Sequence, residues 1–414
     1  MTTDAARPPS PATGQTDDDA IDGGLGPEGD DTELDFIPLC DPDISDAEVG
    51  VLGRVLTAGS LNNGHMTHAF EEAFADTIGR AHAVAVPSGT IGMLMILRAL
   101  GIGPGDEVLC SPYGWHQAQQ AVALSGATPV LVDIDYWQHT INPMKAAEKV
   151  TPATKAIIAA NVNGHPAHWD ELQALADAKD LTLIEDSTET IGSVYKGRVA
   201  GSFGLCSLFD FSEPGILLAG GGAMIVTDDR DVAHELRYLR HRETEHRYTV
   251  GITRRIPFQA SLSNLNAALG LVQLKRLPEI IEKRNQVIRW YDAAMASFEG
   301  IKPPYKGPGA ETVNPMVYAV HLGTRFTASG RKAIIEDMDT HAVDTSDYGQ
   351  PLYTQQYYVE RGYNRADYPV CQKTADRAIA LPLHHKVTQD QIAFIVDTLK
   401  DATVNTGAGA AIYL

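Results

Sequence analysis

The stretch "AHAVAVPSGTIGMLMILRALGIGPGDEVLCSP", residues 81–112, constrains the fold more than any other part of the chain. A β-rich apolar run ends at Pro-Ser-Gly. Apolar residues then recur at helical spacing until Gly-Pro-Gly stops them, and a second β-rich run follows. The rhythm continues in "TPVLVDID", "KAIIAANVN" and "LTLIEDS", each after a helical or turn segment, with "HWDELQALADAKD" carrying a helical period. Strands alternating with helices predict an α/β fold with a mostly parallel central sheet covered on both faces. Ligands of such folds bind beyond the carboxyl ends of the strands. The motifs at those ends are Ser88-Gly89-Thr90, Tyr113 to His116, Asn163 to His165 and Asp186 to Glu189.

Around this core, "DISDAEVGVLGRVLTAG" has the start and stop signals of a helix. "LVQLKRLPEIIEKRNQVIRWYDAAMASF" predicts one long connecting helix near 275–295. The expected organisation is an acidic tail over 1–35, a large domain over 36–285 and a smaller α+β C-terminal domain over 286–414. Residues 1–35 hold ten acids against one Arg, rich in Pro and Gly and nearly free of large apolar residues, a composition that predicts disorder. The whole chain carries a formal charge of −20, which excludes a nucleic-acid partner, because phosphate backbones need a basic face. No apolar run is long enough for a membrane span. Neither a basic nor an apolar leader pattern opens the chain, and Cys40, Cys110, Cys206 and Cys371 form no CxxC pair; a cytoplasmic protein with free thiols is the expectation.

Seven collinear motifs, "IPLCDPDISDAEV", "SGTIGMLMILRALGIGPGDEV", "GATPVLVDID", "IEDSTETIGSVYKGRVAGSFG", "GGGAMIVTDD", "NAALGLVQLKRL" and "ALPLHHKVTQDQI", resemble the DegT/DnrJ/EryC1/StrS family of sugar aminotransferases over residues 36–400. The resemblance implies a fold-type I architecture, a homodimer with active sites at the subunit interface, and amino transfer to a keto sugar with pyridoxal 5′-phosphate (PLP). It places Ser88, Gly89 and Thr90 at the cofactor phosphate, where helix-terminal amides favour an anion. It places Trp115 over the pyridine ring and Asp186 at the ring nitrogen. Gln259 stands where an asparagine reaches the phosphate of the neighbouring subunit.

Other positions depart from that pattern. Gly215 stands where the family has the lysine that attaches the cofactor, so covalent attachment through this position is impossible. Asp210 replaces a serine that donates to the phosphate, and Glu189 replaces a glutamine at the ring hydroxyl. Ser212, Glu213 and Pro214 alter the segment before Gly215. Lys196 in "YKGR" is the nearest lysine in sequence, in a motif that ordinary members also carry as a surface turn.

A carboxylate beside the phosphate repels it. The leading expectation is therefore that no cofactor is held. Acid and base chemistry (dehydration, cyclisation, isomerisation or condensation) would then run on a small polar metabolite of specialised or antibiotic biosynthesis. The groups assigned to it are Asp186, Glu189, Asp210, Glu213, His116 and His165. His116 and His165 lack metal-ligand spacing, and no metal is expected. Two alternatives stay open: a sugar aminotransferase or dehydratase holding PLP or pyridoxamine 5′-phosphate (PMP) non-covalently, and a non-catalytic dimeric partner. The basic run "LRHRETEHRYTV" (239–250), with Arg240, His241, Arg242, His246 and Arg247, and the Tyr-rich run 348–358 are expected to face the substrate.

Overall fold

The computed structural model describes residues 36–411, apart from Gly59, Asn63, residues 242–255, Ser297, Glu299, Lys306 and Pro308. The predicted acidic tail lies outside the described residues. Contacts divide the chain into Met1–Phe36 and Ile37–Leu414, and the features below belong to the second unit.

Seven strands form the central sheet in the order His82–Val86, Ala223–Thr227, Cys206–Asp210, Thr182–Asp186, Thr154–Ala160, Glu107–Cys110 and Thr128–Leu131. Neighbours from Cys206–Asp210 to Thr128–Leu131 are parallel. Ala223–Thr227 runs antiparallel to both its neighbours. The sheet is thus mostly parallel, as the alternation predicts. Buried apolar side chains fill both of its faces, and the register sets Asp186 opposite Leu208 and Asp210 opposite Ala223. Two acids therefore finish adjacent parallel strands on the same edge.

One acid inside the Asp186 strand has a different task. Glu185 is fully buried, yet it accepts from Asn161 Nδ2 (2.8 Å), Ser187 Oγ (2.5 Å), Gly201 N (2.7 Å), Phe203 N (2.9 Å) and Ser207 Oγ (2.7 Å). Five donors on one carboxylate tie this strand to its neighbours and to the turn at 201–203.

The helix Gly89–Ala99 leaves the first strand through Ser88, whose Oγ accepts from Ile91 N. Its apolar residues Met93, Ile96 and Leu97 pack on the sheet against Val86, Leu208 and Ile225. The predicted connecting helix runs over Asn264–Met295, beginning earlier than the apolar period indicates. Ser263 caps it, its Oγ accepting from Asn266 N at 3.1 Å, and that polar start hides its first turns in the sequence. Beyond it lies a four-stranded antiparallel sheet in the order Ile301–Lys302, Tyr318–Leu322, Ala378–Leu381, Ser346–Asp347. Among the described residues no helix is long and apolar enough to cross a membrane.

Arg240 does not face a substrate. It is buried, pairs with Glu71, and donates to the Ala85 carbonyl at 3.3 Å. Residues 242–250 of the basic run lie outside the described residues.

Candidate active site

The carboxyl edge of the sheet brings Asp186, Glu189 and Asp210 together with Ser88-Gly89. Gly89 opens its helix, and its amide donates to Asp210 Oδ2 at 2.6 Å. The other oxygen of Asp210 accepts from Ser212 N at 2.8 Å. A carboxylate thus sits where the resemblance places a phosphate, satisfied by the same helix-terminal amide. Gln117, the first residue of the next helix, crowds the same spot. A Cβ built on Gly89 would lie 1.8 Å from Gln117 Oε1 and 2.7 Å from Asp210 Oδ2.

Asp186 is 2 % exposed. Its Oδ1 accepts from Thr188 N at 3.1 Å and from Gln117 Nε2 at 3.5 Å, while its Oδ2 is buried without a partner. Burial pushes its acid up to about 6; the charge of Asp210 adds to the rise, and the hydrogen bonds oppose it. Glu189 is buried as well. Its Oε2 accepts from Asn163 N at 2.6 Å and from the Tyr348 hydroxyl. Burial raises Glu189 to about 7 against those bonds, with Asp186 adding to the rise.

Glu189 therefore keeps its proton to about pH 7 in the folded chain but releases it near 4.5 when unfolded. It contributes stability below pH 4.5 that is lost as pH rises through 7. Glu189→Gln, a neutral isostere, is expected to be more stable than the parent at pH 8 by on the order of 3 kcal/mol, with the gap closing by pH 4.5. Thermal melts across that range check this; equal shifts at both pH values would refute it.

The other assigned residues are elsewhere. His116 turns both ring nitrogens to the 350–355 segment, one to the Gln350 carbonyl and one to Gln355 Nε2 at 2.9 Å. His165 binds the Tyr305 carbonyl and lines a separate cleft. Glu213 is exposed and lines a small cavity with Cys40, Gly215 and Arg284. These three do not join the acids: His116 is held by the 350–355 segment, His165 by the Tyr305 carbonyl, and Glu213 lies in the loop lining the other cavity. Trp115 is half-buried, and its backbone donates to Glu189. Thr90 is half-buried on the first turn of its helix, and Gln259 is exposed in left-handed backbone at φ 55°. Lys196 pairs with Asp170 on an exposed hairpin. Among the described residues no three His, Cys, Asp or Glu side chains are grouped to hold a metal ion.

Around Gly215 the loop has closed. A Cβ there would lie 2.9 Å from the Ser212 carbonyl and 3.0 Å from Leu218 Cδ2. Gln117 and Glu185 were not singled out from the sequence, and Tyr348 only as the first residue of the Tyr-rich run. A glutamine two residues after Trp115 was a usable signal for the first. The Tyr348–Glu189 bond joins residues far apart in the chain and had no local signal.

These residues suit one end of a pyridoxal-type cofactor better than the other. The ring end fits, because the unpartnered buried Asp186 oxygen is an acceptor for a ring N–H. At the phosphate end Asp210 and Gln117 must give way.

Comparison with known proteins sets this geometry in context. GDP-perosamine synthase of Caulobacter vibrioides is 32% identical over 339 residues, 81% of this chain and 89% of that protein. DesV of S. venezuelae, solved in complex with a ketimine intermediate, superposes with a TM-score of 0.82 at 27% identity, covering 89% of this chain and 98% of its own. Spr1654 of Streptococcus pneumoniae, a putative sugar aminotransferase solved in a PMP-form, gives a TM-score of 0.85 at 24% identity, covering 91% and 100%. The fold is that of the fold-type I aminotransferases, as expected. The expectation of a site without cofactor is corrected here, since solved relatives of the same architecture carry PMP or a ketimine intermediate. Residues 42–400 match the family throughout, and the chain belongs to the DegT/DnrJ/EryC1/StrS aminotransferase family.

Proposed function

We propose that this chain is a sugar aminotransferase or dehydratase that holds PLP or PMP without a covalent bond. The observation that carries the reading is Asp186 Oδ2, buried and without a partner at the end of its strand. The names of its relatives, among them a perosamine synthase and sugar aminotransferases, support the substrate class. Gly215 accounts for the non-covalent mode.

A bound cofactor of this kind supplies an electron sink for chemistry at the carbon bearing nitrogen. Asp186, ionised at neutral pH, would accept a hydrogen bond from the ring N–H and keep that proton on the ring nitrogen. Glu189, which titrates near 7, would take or return a proton at Oε1, with Oε2 held in place by the Asn163 amide and the Tyr348 hydroxyl. The surrounding burial excludes water from both acids. We infer a homodimer with Gln259 directed to the neighbouring subunit; its exposure is consistent with that role, and light scattering checks the stoichiometry.

Titration of the protein with PMP, followed by ligand fluorescence, is expected to saturate. Asp186→Asn is expected to weaken binding about ten- to a hundredfold through loss of a charge-assisted bond. Affinity is expected to fall below pH 6 as Asp186 takes up a proton. No saturation, or equal affinity of Asp186→Asn and parent, would sink the reading.

A further inference from the structure

The first turn of the helix Gly89–Ala99 offers its amides to an anion, and the chain supplies that anion itself. Asp210 Oδ2 accepts from Gly89 N at 2.6 Å, and Ser88 Oγ accepts from Ile91 N at 3.4 Å. Ser212 N holds the second oxygen of Asp210 at 2.8 Å, so the carboxylate is fixed at both ends. Gln117 closes the same spot. A Cβ on Gly89 would fall 1.8 Å from its Oε1, and its Nε2 donates to Thr188 Oγ1. Thr188 Oγ1 also accepts from Asp210 N at 3.2 Å. One hydroxyl thus ties the Gln117 plug to the strand that carries Asp210.

The acids here meet only neutral groups. Among the described residues, the partners of the Asp186, Glu189 and Asp210 carboxylates are amides and hydroxyls, with no Lys or Arg. A phosphate monoester is close to a dianion at neutral pH. At this end of the site it meets a carboxylate already in its seat, and like charges repel. The ring end differs. Asp186 Oδ2 is buried without a partner and open to a ring N–H. The site therefore matches the ring of a pyridoxal-type molecule and opposes its phosphate.

We propose that the site selects the phosphate-free form of the cofactor, pyridoxamine or pyridoxal, with the 5′-hydroxymethyl group donating to Asp210. Asp210 is then the residue that sets this specificity, and the Gln117–Thr188 pair keeps the seat too small for a phosphate. Pyridoxamine gains further, because without a phosphate it is a net cation at neutral pH and the site is lined by acids. The inference rests on the cofactor binding proposed above for the ring end alone; it changes the form of the ligand and not its place.

Fluorescence titration of the full chain with pyridoxamine and with PMP at neutral pH tests the proposal. Pyridoxamine is expected to bind about tenfold more tightly than PMP, or better. Asp210→Asn keeps an acceptor for the Gly89 amide and drops the charge, and is expected to erase that preference. Asp210→Ser is expected to reverse it. Gln117→Ala, with Asp210 kept, is expected to leave pyridoxamine the tighter ligand. Asp186→Asn is expected to weaken both ligands alike, since both present the same ring. Thermal melts show which variants fold, and the comparison on the parent needs none of them. PMP binding as tightly as pyridoxamine in the parent, or more tightly, overturns this inference and leaves the cofactor reading standing. A preference for pyridoxamine that both Asp210 variants retain also overturns it. If neither ligand saturates, the cofactor reading fails and this inference falls with it.

Discussion

Asp210→Ser is expected to tighten PLP and PMP binding by about a thousandfold. In the parent the Gly89 amide is engaged by Asp210 Oδ2 at 2.6 Å, so an incoming phosphate must displace a carboxylate from a helix terminus that favours anions. If the carboxylate stays within about 4 Å, its repulsion of one phosphate charge costs on the order of 4 kcal/mol at an effective dielectric of ~20. Each ~1.4 kcal/mol is tenfold in affinity. Serine removes the charge and restores a donor. Gln117→Ala clears the second obstruction at the same amide and is expected to add to the gain. Equilibrium dialysis of parent and variants against PLP measures the change. An Asp210→Ser affinity within threefold of the parent would show that Asp210 moves aside at no cost.

Glu185→Leu is expected to abolish folding. The leucine fills similar space but removes the acceptor of five buried donors; Asn161 Nδ2 and Ser207 Oγ keep second acceptors, whereas Ser187 Oγ, Gly201 N and Phe203 N are left without one. At about 1–3 kcal/mol for each unsatisfied group the loss is roughly 3–9 kcal/mol, comparable with the ~5–15 kcal/mol that holds a typical domain together. Glu185→Gln keeps one acceptor oxygen but brings two N–H groups into a nest of donors, and is expected to fold with a sharply lowered melting temperature. Soluble yield and thermal melts give the reading; a Glu185→Leu protein that melts near the parent would mean the donors find other acceptors.

Much of the architecture was readable because its signals are local. The alternation of short apolar runs with helical periods gives strands and helices, and Pro-Ser-Gly and Gly-Pro-Gly mark their ends. The direction of Ala223–Thr227 was not readable, since a fully buried strand has the same composition in either orientation. The same division runs through the site. Asp186 and Asp210 are the last residues of adjacent strands, and the strand ends are recognisable, so their meeting was foreseeable. Glu213 and His116 lie only a few residues further on, but their directions depend on how the loops pack. Gln117 reads as a polar residue of an ordinary helix until the backbone shows it beside Gly89. Charge alone misleads at this pocket: Asp210 repels a phosphate, while the unpartnered oxygen of Asp186 and the relatives point to a cofactor.

The reversed strand has one more consequence. Because Ala223–Thr227 pairs directly with Cys206–Asp210, everything between them, Gly215 included, forms an excursion whose two feet stand side by side on the sheet. Such a segment is a replaceable cassette: its contents can change without re-threading the scaffold, and a protein engineer can transplant a lysine-bearing version through the same two anchor points.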